Sequence, residues 1–241
     1  SFAPMGVFVK AFETLGITAT IDQARGPMGK PKWDHIRSMM DDPDICAQWI
    51  AKYGHAPTDA DVDKVYKVFV PMNEEVVADF SDLVPGAAEV VRLLRDKGMK
   101  IGSTTGYTRS IMERVLPKAA EQGYEPDNLI CADDLPEGRP GPLGMYQCFV
   151  DLVAYPPSAV IKVDDTEPGI AEGVAAGCLT VGLALSGNYA GKTPEELAAL
   201  SEDQVDALRQ HATVELKKAG ADYVIDTVAD LPALIEKLEA E

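Results

Sequence analysis

The chain has 241 residues, enough for one large domain or two small ones, and its 46% hydrophobic and 25% charged content is that of an ordinary globular protein. Its formal net charge is −17 and its pI is about 4.5, so the surface repels nucleic acid and anionic membranes and neither is expected as a partner. No apolar run is long enough to span a bilayer, and no basic segment precedes an apolar stretch at the amino end. The cysteines (Cys46, Cys131, Cys148, Cys178) form no CxxC pair, which points to a reduced, cytoplasmic protein without a zinc site.

In residues 1–16, Pro4, Val7, Val9, Phe12 and Leu15 recur at mixed three and four spacing, which predicts a helix. Residues 19–25 read as a short helix, and Gly26 to Pro31 as a loop marked by glycine and proline. Pro31 suits the first position of a helix reaching about Met40, and another helix covers roughly Pro43 to Tyr53. Thr58 to Phe80 reads as one long helix with Asp59, Asp61 and Asp63 in an acidic first turn.

After Pro85 helices alternate with short apolar strands. Helices are predicted at 87–97, 108–121, 144–153, 170–176, 202–219 and 228–240. Strands are predicted at 99–103, 129–132, 160–163, 179–183 and 223–225. This alternation implies an α/β fold, a parallel sheet with helices on both faces.

The strand ends carry the chemistry. Ile101-Gly102-Ser103-Thr104-Thr105-Gly106-Tyr107 is an apolar run that ends in hydroxyl residues and a glycine before a helix. Thr105 can donate its hydroxyl to a phosphoryl oxygen, and Gly106 lets the backbone approach. Alternatively, the segment is a strand-to-helix turn with a capping threonine. Asp133 and Asp134 follow the next strand, then Glu137-Gly138-Arg139-Pro140, and Asp164-Asp165-Thr166 follows Val163. A parallel sheet gathers such ends on one rim. Adjacent carboxylates suit Mg²⁺, and an arginine suits a bidentate grip on a phosphoryl group. The structural alternative makes Asp164 and Asp165 helix caps and Arg139 a salt-bridge partner.

These motifs resemble the haloacid dehalogenase superfamily of phosphotransferases. The resemblance implies a Rossmann-like parallel-sheet core over 81–241 and a helical cap domain over 1–80. It also implies a first core strand, ending in a nucleophilic aspartate, upstream of Ser1. Ser1-Phe2-Ala3-Pro4 then reads as the segment following that motif, and the sequence as a fragment or an abbreviated one.

The segment from Gly26 to Arg37 narrows the resemblance. With Pro31 opening a helix, Lys32 lies in its first turn, where the dipole, Lys30, Arg37 and desolvation all disfavour the ammonium form. A neutral amine is what a Schiff-base lysine needs. His35 follows by three residues on the same face and can shuttle protons. The plainer alternative is a solvated basic helix face.

Together with the 101–107 segment, this stretch resembles the phosphonoacetaldehyde hydrolase family. The resemblance implies an imine between Lys32 and a substrate aldehyde, with His35 beside it. It assigns Met28, Gly29, Thr105, Gly106, Tyr107 and Arg139 to substrate and phosphate binding, and Asp165 to Mg²⁺. The implied reaction cleaves the carbon–phosphorus bond of a small phosphonate, giving acetaldehyde and phosphate, in a homodimer joined through the cap. Gly169 stands where some relatives carry a further aspartate; Asp164 or Glu167 is expected to replace it, with Asp164 preferred because it is adjacent. Lys30 is a second candidate amine. A generic phosphatase or mutase, or a non-catalytic remnant, are the competing functions.

Overall fold

The computed structural model of the chain describes residues 5–240, so Pro4 and the Ser1-Phe2-Ala3-Pro4 segment lie outside the described residues. The amino-terminal part is helical as expected: α1 (Met5–Thr14), α2 (Ile21–Arg25), α3 (Lys32–Met40), α4 (Pro43–Tyr53) and α5 (Asp59–Val76), with a 3-10 turn over Val77–Phe80. Local chemistry sets the ends. Thr20 with Gln23 and Thr58 with Asp61 form capping boxes, the Asp42 carboxylate accepts from the first N–H groups of α4, and Gly54 closes that helix at φ +79°. Pro31 is the N-cap of α3 rather than its first helical residue, because its ψ of 145° is extended.

The apolar faces of these helices meet in one cluster that includes Phe8, Phe12, Ile36, Met40, Trp49, Val65 and Phe69. Burying an aliphatic or phenylalanine side chain of this size contributes about 1.5–3 kcal/mol. The buried members of the cluster run from Met5 to Phe69. We keep residues 1–80 as the proposed cap and 81–241 as the proposed core.

The remainder alternates as predicted: α6 (Ala87–Asp96), β1 (Gly102–Thr104), α7 (Arg109–Glu121), β2 (Asn128–Ile130), α8 (Leu143–Leu152), β3 (Ile161–Asp164), α9 (Glu167–Ala176), β4 (Leu179–Leu183), α10 (Pro194–Ala198), α11 (Glu202–Lys218), β5 (Tyr223–Ile225) and α12 (Leu231–Glu239). Every strand pairing is parallel, with Thr104 opposite Ile130, Asp164 opposite Gly182 and Gly182 opposite Val224. The architecture is α/β.

Four details differ from the sequence reading. The ladder is in two pieces, β1–β2 and β3–β4–β5, instead of one sheet. Side chains link the pieces: Lys162 on β3 donates to Thr104 Oγ1 on β1 at 2.8 Å. β1 begins later than expected because the Ile101 N–H donates to the Asp127 carboxylate. β2 ends early because the Cys131 N–H donates to the Asp134 carboxylate. The short helix α10 was not anticipated, although Thr193-Pro194-Glu195-Glu196 carries its capping box.

All four cysteines are free thiols, and Cys131, Cys148 and Cys178 are buried. Among the described residues no helix is long and apolar enough to cross a membrane. The loops leaving β1, β2 and β3 at their carboxyl ends carry the site.

Candidate active site

The core half of the site is a buried charge network. Arg139, in the loop after β2, donates from Nε to Glu172 Oε2 at 3.0 Å, and from Nη2 to Thr104 O and Oγ1 at 2.8 and 2.9 Å. The same nitrogen lies 3.2 Å from Asp164 Oδ2. Lys162 Nζ reaches Thr104 Oγ1 at 2.8 Å, Glu172 Oε2 at 2.9 Å and Asp164 Oδ2 at 3.4 Å. The Thr104 hydroxyl accepts both cations and donates to Glu172 Oε2 at 2.7 Å. Two cations and two carboxylates thus balance one another out of water, the arrangement that buried charge requires.

Burial works to raise the Asp164 carboxyl, but Arg139, Lys162 and the Thr166 donors more than offset it and hold it at about 2. Asp164 Oδ1 accepts from the N–H groups of Asp165 and Thr166 and from the Thr166 hydroxyl. Thr166, not either aspartate, caps α9 by accepting from the Gly169 N–H at 3.2 Å. Asp165 Oδ2 accepts from the Asn188 N–H at 2.9 Å. Thr105 Oγ1 accepts from the Tyr107 N–H at 3.1 Å and its hydroxyl proton is left to donate elsewhere; the N-cap of α7 is Thr108, so Thr105 is not a helix cap. Asp133 and Asp134 take no part in the network, since their carboxylates hold the backbone and guanidinium of Arg109.

The helical half supplies Lys32 and His35, both turned inward: Lys32 is 4% exposed and His35 fully buried. Nζ of Lys32 lies 4.6 Å from the centre of the Tyr107 ring and 5.7 Å from that of Phe8. Burial, and then the Arg139 guanidinium, push the amine down to about 7. The like charge comes from Arg139 and not from Lys30 or Arg37, which corrects the sequence reading. Lys30 donates to Ser38 at 2.9 Å, and Arg37 pairs with Asp41.

His35 Nε2 lies 2.7 Å from the Ala24 carbonyl. A carbonyl only accepts, so Nε2 carries the hydrogen and Nδ1 the lone pair. Nδ1 is buried without a hydrogen-bond partner among the described residues. Burial and the nearby Lys32 and Lys30 push the imidazole down to about 3 against the pull of the Ala24 carbonyl, so it is neutral at physiological pH.

The halves meet where side chains are missing. A Cβ on Gly29 (φ +92°) would overlap the Thr166 hydroxyl, and one on Gly106 would stand 2.7 Å from the Lys30 carbonyl oxygen. Met28 is buried next to this seam, at 6% exposure. Of the residues singled out in the sequence, Tyr107 and His35 stand by the Lys32 amine, and Gly29 and Gly106 lie at the seam. Arg139 and Asp164 lie in the charge network, and Asp165 adjoins it.

A family model described as haloacid dehalogenase-like hydrolase matches residues 5–177. A phosphonoacetaldehyde hydrolase from Paraburkholderia phytofirmans is 48% identical over 240 residues, covering 100% of this chain and 90% of that protein. One from Klebsiella pneumoniae is 45% identical over 242 residues, with the same two coverages. A phosphonoacetaldehyde hydrolase-like protein from Oleispira antarctica superposes with a TM-score of 0.95 at 41% identity, covering 99% of this chain and 86% of that one. The chain belongs to the phosphonoacetaldehyde hydrolase family of haloacid dehalogenase-like hydrolases.

For a member of the phosphonoacetaldehyde hydrolase family, Asp165 after β3 fits Mg²⁺ by donor chemistry, whereas Asp164 at the strand end has Oδ1 committed to three donors and Oδ2 to Arg139 and Lys162. Asp164 and Asp165 are adjacent carboxylates, and no cluster of three or more His, Cys, Asp or Glu residues exists among the described residues. Mg²⁺ uses one or two carboxylates and fills its shell with water and substrate oxygens. Asn188, whose N–H holds Asp165, also has a buried Oδ1 without a hydrogen-bond partner among the described residues. Gly169 is explained by sterics: any Cβ there would overlap the Asp164 carboxyl group, so that carboxylate fills the space a side chain at 169 would use.

The sequence reading missed Thr104, Lys162 and Glu172. The available signal was a lysine inside the apolar strand Ile161-Lys162-Val163 and a glutamate inside the apolar helix stretch Ile170-Ala171-Glu172-Gly173-Val174. Two opposite charges, each out of place in its own pattern, are a buried pair in waiting.

Proposed function

We propose that this chain hydrolyses the carbon–phosphorus bond of phosphonoacetaldehyde, with Lys32 as the imine-forming residue. The supporting observation is a buried lysine whose amine titrates near 7 against Tyr107, where the seam of Gly29 and Gly106 closes on the strand-end loops. Carbon–phosphorus cleavage leaves an electron pair on carbon that needs a sink. The Lys32 amine adds to the aldehyde and loses water to give an iminium, which takes up that pair as an enamine. His35, neutral, offers its Nδ1 lone pair to the protons moved during this condensation.

Arg139 and Thr105 grip and orient the phosphoryl oxygens, Tyr107 and Met28 line the aldehyde end, and Gly29 and Gly106 let the backbone close over both. Mg²⁺ held by Asp165, with Asp164 beside it tied to Arg139 and Lys162, would when bound neutralise phosphoryl charge. The phosphoryl acceptor implied by the resemblance is an aspartate preceding Ser1, and no described residue is given that role. Protonation of the enamine and hydrolysis of the iminium release acetaldehyde, and hydrolysis of the phosphorylated carboxylate releases phosphate. The net consumption is one water. Within this reading the protein is a cytoplasmic homodimer.

Borohydride trapping with phosphonoacetaldehyde, followed by peptide mapping on natively folded protein, tests the assignment, since imine formation needs no phosphoryl acceptor. The expected adduct is on Lys32. An adduct on Lys30, or none, removes Lys32 from the mechanism and favours a generic phosphatase. Labelling is expected to rise as pH passes through about 7, because only the neutral amine adds to the aldehyde.

Gly106→Ala tests the seam. The Gly106 φ lies outside the left-handed region, so alanine is free of backbone strain, but its Cβ would press on the carbonyl oxygens of Lys30 and Gly29 at 2.7 and 2.9 Å. The variant is expected to fold, to hydrate Lys32, and to move the labelling midpoint upward from about 7 toward the 10.5 of a free lysine. An unchanged midpoint would mean that the seam does not keep the amine dry.

A further inference from the structure

Phe8 on α1 is 2% exposed and was not singled out by any pattern in the sequence. Its ring lies flat on the His35 imidazole, with centroids 4.0 Å apart and an interplanar angle of 11°. It also stacks on Phe69 of α5 at 4.2 Å and 25°. The Lys32 ammonium nitrogen is 5.7 Å from its centre, within the range at which an aromatic face attracts a cation. A single side chain therefore touches both groups assigned to the amine chemistry.

We propose that Phe8 is a positioning residue for imine formation, fixing the plane of His35 and, with Tyr107, giving an aromatic surface to the positive nitrogen that forms at Lys32. The inference rests on the Lys32 reading above. Its first half follows from the way the imidazole is held. The one hydrogen bond, from Nε2 to the Ala24 carbonyl, leaves the ring free to turn about that axis. Stacking on Phe8 removes that freedom and so decides where the Nδ1 lone pair points. The second half follows from charge. Condensation turns a neutral amine into a cation inside a dry pocket, and an aromatic face favours the product over the reactant. The charged and titratable groups acting on Lys32 and His35 are Arg139, Lys30 and each other, and Tyr107 faces the amine; of these, Arg139 and Lys30 are cationic and oppose the new charge.

The experiment is the pH dependence of borohydride labelling at Lys32 in the wild-type protein and in Phe8→Leu, Phe8→Met and Phe8→Tyr, each checked for native near-ultraviolet circular dichroism. Leu and Met remove the aromatic face at different volumes, so one folded variant of the two suffices. A ring that attracts the cation raises the affinity of the amine for its proton. Its loss is expected to lower the labelling midpoint by about half a unit to one unit and the labelling rate by about tenfold. Phe8→Tyr, which keeps the face, is expected to restore both. A ring that only keeps water out does the reverse: its loss admits water and raises the midpoint. A midpoint that rises or stays in place in a folded Leu or Met variant overturns the proposal while leaving Lys32 intact. Absence of a Lys32 adduct in the wild-type protein overturns the underlying reading, and the proposal with it.

Discussion

Replacing Lys32 by arginine is expected to abolish borohydride labelling and to reduce acetaldehyde release to background, a loss on the order of 10³-fold or more. Arginine keeps the positive charge and much of the length, but its guanidinium does not deprotonate in proteins and cannot form an imine. The substitution thus separates charge from nucleophilicity at a site where both are in question. The wild-type amine is poised for this chemistry by placement alone. Burial takes its protonated form out of water, and the Arg139 guanidinium repels it further, bringing it to about 7. His35, at about 3, adds no ionisation of its own between pH 5 and 9, so the labelling profile should show one rising limb. Turnover that survives Lys32→Arg at more than a few per cent would mean the carbon–phosphorus bond is broken without the imine.

The second large effect is expected at Glu172. Glu172→Ala removes the acceptor on which Thr104, Arg139 and Lys162 converge at 2.7, 3.0 and 2.9 Å. Arg139 and Lys162 then share the direct contacts to Asp164, with Asp165 acting on Arg139 from farther off. Breaking a buried ion pair from one side costs about 3–5 kcal/mol, which for a chain of this size is a fall of roughly 6–20 °C in Tm. Thermal unfolding at pH 7 measures it, and a shift under 3 °C would show that water or another anion takes the place of Glu172. The Asp164 carboxylate also sets an acid limit. The Asp164 carboxyl is held at about 2, below its unfolded value, so its contribution is complete above roughly pH 4 and is lost as pH falls through about 2.

The parts of the molecule that were legible in the sequence are those written in local pattern. β4 and β5 fall on the residues where the apolar runs placed them, and the spacing of Lys32 and His35 put both on one buried face. The strand-end hydroxyl, arginine and acidic pair were visible because parallel sheets collect such ends. What escaped was set by contacts between distant segments. Lys162 and Glu172 look like errors in a strand and a helix until the packing of α9 on β3 joins them. Sequence proximity points to Lys30 and Arg37 as the source of repulsion on Lys32, whereas it comes through space from Arg139. The early ends of β1 and β2 depend on side chains of Asp127 and Asp134 capturing strand N–H groups, which no periodicity reveals.

The overlap between residue 169 and the Asp164 carboxyl group bears on how such a site changes over time. A carboxylate reaches that space from position 164 or from position 169, but not from both. Adding a side chain at 169 first drives it into an occupied volume, and removing the Asp164 side chain first strips the partner from Arg139 and Lys162. Either order passes through a damaged intermediate. The two positions are coupled through one shared volume, so the effect of a substitution at either is expected to depend on the residue at the other.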